Sequence, residues 1–340
     1  MDKLKEKEIF INDYLVQLKD DSPIFYNNIE KCFDINCNFI KIISPHLEIL
    51  KKEIDFTKMT KVTFQEIIDI VDKFYRDVNI PFNVNKSIND GTIDFNYSDL
   101  VFDDSEDYNS KLTSIIDGVM FPDDMTVDVS HSGLISGAVT LVHELSHLRD
   151  TNKEKNHLEN IFTESLAITD ELIFLDYLQN LGYDYDAISI RNLLFYLYFY
   201  TANKAIDFLA ALVLFERTGS LKLKDYQDLF KNDKGYEDML NTIQIYKEKK
   251  INIEKDCRYI FGSCLAVTLF YRWKQDNSFM QNLVDIHNTK YQVNSMDILN
   301  KMGFYSFGYD EIDLLVDNLK RFTNCFYEND EKKNLNGFSK

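Results

Sequence analysis

Helix breakers are scarce in this chain: four prolines and eleven glycines are spread over 340 residues. So few interruptions leave little room for a turn-rich architecture and point to a mainly α-helical fold. Positive charge is also in deficit, with 38 Lys and Arg against 56 Asp and Glu and a net charge of −18. That balance argues against nucleic acid, whose phosphates need a basic surface, and against anionic membranes. The acidity keeps the chain soluble, with steering of cationic peptides as a weaker reading. No apolar run reaches about 18 residues, so no membrane-spanning helix is expected. The first residues, Met-Asp-Lys-Leu-Lys-Glu-Lys-Glu, carry no apolar core. They do not read as a secretory signal, and a cytoplasmic location is expected. Cysteine is sparse too: Cys32, Cys37, Cys257, Cys264 and Cys325 make an odd number with no CxxC pair. They read as reduced thiols rather than as a metal or disulfide set.

Against these absences, 45% of the residues are hydrophobic and 14% aromatic, enough for a sizeable core. Residues 6–19, 24–50 and 63–78 are predicted helices, with Pro23 near a helix start and Pro45 interrupting the second. Together they make a helical region over 1–80. Residues 81–132 are rich in Asn, Asp, Ser and Gly, and two to four short strands are predicted there. These include Thr92–Tyr97, a stretch beginning at Leu100, and Met125–Ser130. Met125–Ser130 alternates apolar and polar residues and reads as a half-buried strand, either an edge able to pair with an extended peptide or an ordinary sheet strand. Helices then resume over 133–326, and 327–340 reads as a flexible tail. The aromatic run Phe195–Tyr200 reads as a buried helix seam, from which a tyrosine could line a cleft.

Only six histidines are present, and two of them flank a glutamate in His143-Glu144-Leu145-Ser146-His147. Residues four apart on a helix lie nearly above one another, so both imidazoles can share one small cation. Leu141, Leu145 and Leu148 supply the helical period over 134–149. Ser130 or Ser132 is the candidate cap, and Gly133 breaks the preceding segment. Zn²⁺ is the expected occupant, because imidazole nitrogen suits it and it is redox-inert. Glu144, one residue round the turn, can reach a water without ligating the ion.

Such a site needs a third protein ligand. A further histidine six residues after the second is absent, since Lys153 stands there. The following predicted helix, 158–181, carries Glu164 and Glu171 on one stripe. Glu164 is the preferred ligand. Glu171 is the reserve, or an acceptor for an imidazole N–H. His157 and Glu159 lie nearer the turn and are weaker candidates.

The run from Thr140 to Tyr177 resembles the thimet-oligopeptidase and oligoendopeptidase F family of zinc metallopeptidases. It reads Thr-Leu-Val-His-Glu-Leu-Ser-His and then Phe-Thr-Glu-Ser-Leu-Ala-Ile-Thr-Asp-Glu. Glu164 falls where that family has its third zinc ligand, Glu171 matches its later Glu, and Ala167 replaces its usual Ser. Lys61–Asn79 is similar to the helix that precedes the family's small sheet. The Tyr259-Ile-Phe-Gly262 stretch resembles its late Tyr-x-x-Gly helix, where tyrosines stabilise the tetrahedral intermediate. Asp256 stands where the family has a second tyrosine. The resemblance implies a helical, gluzincin-type metallopeptidase with a small β-sheet beside the HExxH helix, acting on oligopeptides. His143, His147 and Glu164 would bind Zn²⁺, Glu144 would be the general base and Tyr259 the oxyanion donor. A narrow-specificity endoprotease on a protein substrate, or a metal-containing binding protein without activity, are the other expectations.

Overall fold

Local signals set the helix boundaries in the computed structural model of the chain. It describes residues 3–52, 55–80, 82–97, 117–121, 123–150, 160–276, 295–301 and 303–326, with a few more between 278 and 285. The N-terminal helices are α1 (Lys3–Asp21), α2 (Pro23–Asn27), α3 (Ile29–Ile43) and α4 (Leu47–Lys52). Pro23 occupies the first turn of α2, where its missing N–H costs nothing. Pro45 sits in the 3₁₀ turn Ser44–His46 that separates α3 from α4, as the sequence predicts. Helix α5 (Phe64–Asp77) opens with a reciprocal cap. The Thr63 hydroxyl accepts from the Glu66 backbone N–H, and the Glu66 carboxylate accepts from the Thr63 N–H at 2.7 Å.

After α6 (Val84–Asn89) come β1 (Ile93–Tyr97), β2 (Asp117–Phe121) and β3 (Thr126–His131). They form one sheet in the order β1-β3-β2, with β1 parallel and β2 antiparallel to β3. The strand predicted from Met125–Ser130 exists, but it is the central strand and not an edge. Both of its backbone sides are taken, by Ile93–Tyr97 on one and Asp117–Phe121 on the other. The alternating pattern reported which side chains face the core: Val127, Val129 and His131 are buried. Alternation carries no information about strand order. Among the described residues, β2 is an edge next to α7 (Ser136–Asp150), and β1 is the other. The strand expected at Leu100 lies outside the described residues.

The remaining helices are α8 (Thr163–Asn180), α9 (Asp184–Thr218), α10 (Leu223–Phe230), α11 (Tyr236–Lys249), α12 (Ile253–Gln275), α13 (Ser295–Lys301) and α14 (Tyr309–Phe322). The fold is thus mainly α with one small sheet. Gly133, at φ 74°, separates β3 from α7 as expected. Neither Ser130 nor Ser132 falls at the helix boundary, because α7 begins only at Ser136.

Helix α8 is the axis of the half that follows the sheet. It packs on α7, α9 and α12, and every residue from Glu164 to Leu175 is buried. A helix buried on all sides has no solvated face, so its carboxylates must be satisfied internally. One apolar core runs from Ile11 and Phe39 through Phe74, Val129, Leu145 and Phe174 to Leu269. The N-terminal helices therefore share their packing with the helices that follow the sheet. Helix α9 is long and apolar enough to cross a membrane by length and composition. However, 56% of its apolar window is buried inside the fold, so core packing accounts for its hydropathy. Of the aromatic run Phe195–Tyr200, Phe195, Tyr196 and Tyr198 are buried as the seam reading expects, whereas Tyr200 at its end is exposed. The tail 327–340 lies outside the described residues.

Candidate metal centre

His143 and His147 lie one turn apart on α7, which packs against the sheet on one side and α8 on the other. Their Nε2 atoms face each other at 3.0 Å. Glu164, in the first turn of α8, sends Oε2 towards both, 3.2 Å from His143 Nε2 and 3.5 Å from His147 Nε2. The three donor atoms fall within 4.8 Å of one another. Glu164 is only 1% exposed, and its Oε2 is buried without a hydrogen-bond partner. Buried carboxylate oxygens are normally satisfied, so an orphaned one aimed at two imidazole nitrogens fits a cation.

The tautomer agrees. Glu171 Oε1 lies 2.9 Å from His143 Nδ1. A buried carboxylate there accepts the Nδ1–H, so that on loss of the second ring proton to a cation the Nε2 lone pair is the one turned to the shared space. Glu171 in turn accepts from the Tyr198 hydroxyl at 3.3 Å. Of the two carboxylates left open by the sequence, Glu164 joins the imidazole pair and Glu171 stands behind it. His157 and Glu159 lie outside the described residues.

Electrostatics bind these groups together. Burial opposes the imidazolium of His143, yet the carboxylates of Glu171 and Glu164 outweigh it and hold its pKa well above the ordinary value. Burial likewise opposes ionisation of Glu164, but the two imidazoles hold its carboxyl well below the usual range. In the metal-free chain these carboxylates favour the protonated form of His143, and a bound cation would take that proton's place. Uptake of a divalent cation at pH 7 should release about one proton, and affinity should weaken as pH falls. Indicator dye in weakly buffered solution measures this, and binding with no proton released would contradict the charge state.

Glu144 is 6% exposed and lies between α7 and β2. Burial raises its pKa; the two imidazoles pull it back, while Glu164 and Glu171 push it up, and the net shift is upward. A carboxylate so placed is a better proton acceptor near neutrality than an exposed one. Gly118 on β2 makes the fit possible. A Cβ there would come within 2.8 Å of Glu144 Cγ and of Thr140 Cγ2, so only bare backbone can pass.

Tyr259, on α12, stacks on Tyr198 with centroids 5.9 Å apart and accepts a hydrogen bond from Arg258 at 3.1 Å. Burial, then the charge of Glu164, raises its hydroxyl pKa, with Arg258 and His143 opposing. It therefore stays a protonated donor at neutral pH. Asp256 is engaged elsewhere, accepting from the Tyr246 hydroxyl at 2.6 Å.

Sequence reasoning missed Arg258, whose Nε lies 3.0 Å from Glu164 Oε1. Its signal was a lone cation inside a buried helical stretch from Cys257 to Phe270. It also missed the ion pair of Arg149 with the buried Asp170, which ties α7 to α8 one turn beyond the site. The cysteines take no part: Cys32, Cys257 and Cys264 are buried, and burial pushes their thiols up. Cys37 is pushed up to about 11 for the same reason, and the side chain of Cys325 lies outside the described residues. No protein-family model, no curated protein and no solved structure matches the chain.

Proposed function

We propose that the chain is a zinc-dependent metallopeptidase of the thimet-oligopeptidase and oligoendopeptidase F type, hydrolysing peptide bonds in oligopeptides. The observation that carries this reading is the convergence of His143 Nε2, His147 Nε2 and an orphaned Glu164 Oε2, with the buried Glu144 beside them. Two imidazoles and one carboxylate suit Zn²⁺ and leave it an open position. When bound, the ion supplies Lewis acidity that makes water a nucleophile at neutral pH and polarises the scissile carbonyl.

The chain's own residues do the rest. Glu144 takes a proton as the water oxygen bonds to the carbonyl carbon. It then gives that proton to the amine as the C–N bond breaks. Tyr259 donates to the oxygen on which negative charge develops. Glu171, held by Tyr198, fixes the orientation of His143 and keeps its ligating nitrogen unprotonated. Among the described residues β2 is an edge of the sheet, and its backbone groups would be offered to an extended peptide beside Glu144. Peptide or protein is thus the proposed partner class.

A second reading, a metal-containing binding protein without turnover, draws on Asp256, which stands where the resemblance expects a tyrosine and is turned to Tyr246. One experiment separates the two. The purified chain should hold one zinc per molecule after metal loading. It should cleave a library of short peptides, and a chelator should stop it. Zinc without cleavage would favour the binding protein, and no zinc would end both readings.

A further inference from the structure

Arg258 touches two members of the centre at once. Its Nε lies 3.0 Å from Glu164 Oε1, a charge contact rather than an aligned hydrogen bond. Its Nη2 donates to the Tyr259 hydroxyl at 3.1 Å, and its guanidinium carbon lies 4.9 Å from the Tyr259 ring centroid. The two oxygens of Glu164 are therefore divided: Oε1 lies against Arg258, and Oε2 faces the paired imidazoles. By charge alone, a cation beside a cation site weakens metal binding. A guanidinium kept there, with its side chain only 26% exposed, needs a geometric reason.

We propose that Arg258 is a positioning residue that holds Glu164 by Oε1 and Tyr259 by its hydroxyl, so that one guanidinium sets both the third ligand and the oxyanion donor. The inference rests on the metallopeptidase reading and adds to it how ligand and tyrosine are assembled. A carboxylate in a buried site can turn about its terminal bond and offer either oxygen. Arg258 fixes which one is offered. Its contact with the tyrosine oxygen uses that atom's acceptor side and leaves the phenolic proton for the substrate. A planar fork can lie against the carboxylate by one nitrogen and donate to the tyrosine by another, whereas a lysine ammonium is a single point on a flexible stem. The arrangement also closes a circuit: Glu164, His143, Glu171, Tyr198, Tyr259 and Arg258 each touch the next, and Arg258 returns to Glu164.

The test reads binding, not turnover. Co²⁺ is titrated into the metal-free parent chain, Arg258→Gln and Arg258→Lys, following the visible absorption of the bound ion. Circular dichroism checks that the variants fold, and Arg258→Lys alone decides should Arg258→Gln fail that check. Both variants should bind Co²⁺ more weakly, on the order of tenfold or more, and both should show altered absorption bands. Binding by Arg258→Gln as tight as or tighter than the parent's, with unchanged bands, would overturn the proposal. So would a lysine variant that behaves like the parent, because charge alone would then suffice. A parent chain that takes up no Co²⁺ overturns the metal reading itself, and the proposal with it.

Discussion

Glu144→Gln should keep the metal and lower peptide hydrolysis by about a thousandfold or more, the upper part of the range for a lost proton-transfer group. Glu144 is not among the three converging donors, so the ligand set is untouched. Gln has nearly the same shape, which matters here because β2 presses on the side chain. A Cβ at Gly118 would sit 2.8 Å from Glu144 Cγ and 3.1 Å from its Oε1. An isosteric amide keeps that packing but cannot take a proton from water. The expected signature is full zinc content, an unchanged melting temperature and little turnover. Cleavage at the parental rate by a zinc-loaded Glu144→Gln protein would remove Glu144 from the mechanism. Loss of zinc would instead show that the carboxylate helps to hold the ion.

The part of this site that could be read from the sequence is the part built from short separations. The imidazole pair needs only the helical period, and its four-residue spacing brings the two Nε2 atoms together as the structure has them. Glu164 and Glu171 also share one helix, and the spacing placed both on the stripe that meets α7. The sequence preferred Glu164, with Glu171 in reserve, but spacing alone does not decide between them, because that depends on how far along α8 the crossing with α7 falls. Strand order was unreadable for a related reason. A parallel pairing of β1 with β3 puts the last strand in the middle, and residue alternation reports burial, not neighbours. Arg258 was missed because its partner Glu164 lies on another helix far away in sequence, and a lone arginine in an apolar stretch signals a buried cation without naming what it faces. Tyr198 sat inside an aromatic run whose core role hid its hydrogen bond to Glu171.

The crossing of α8 and α12 is the contact on which the placement of Glu164 depends, and a glycine sets its depth. A Cβ at Gly262 would lie 3.0 Å from Glu164 Cβ, 3.2 Å from Glu164 C and 3.3 Å from Ser165 N. Two of these neighbours are backbone atoms, which cannot swing aside as a flexible side chain can. The glycine of the Tyr259-Ile-Phe-Gly262 stretch therefore lets α12 come close enough for Arg258 and Tyr259 to reach the site. Gly262→Val should force the helices apart at a cost of about 3 kcal/mol, the upper end of typical overpacking penalties. The change in helix propensity, no more than about 1 kcal/mol in valine's favour, does not offset it. Because the displaced backbone is that of Glu164 itself, stability and metal binding should fall together. Thermal unfolding in chelator isolates the first, and Co²⁺ titration measures the second. Gly262→Ala, with one methyl to accommodate, should show the same two losses in smaller degree. A valine variant that melts and binds cobalt like the parent would mean that the crossing relaxes freely. The placement of Glu164 would then owe nothing to the glycine.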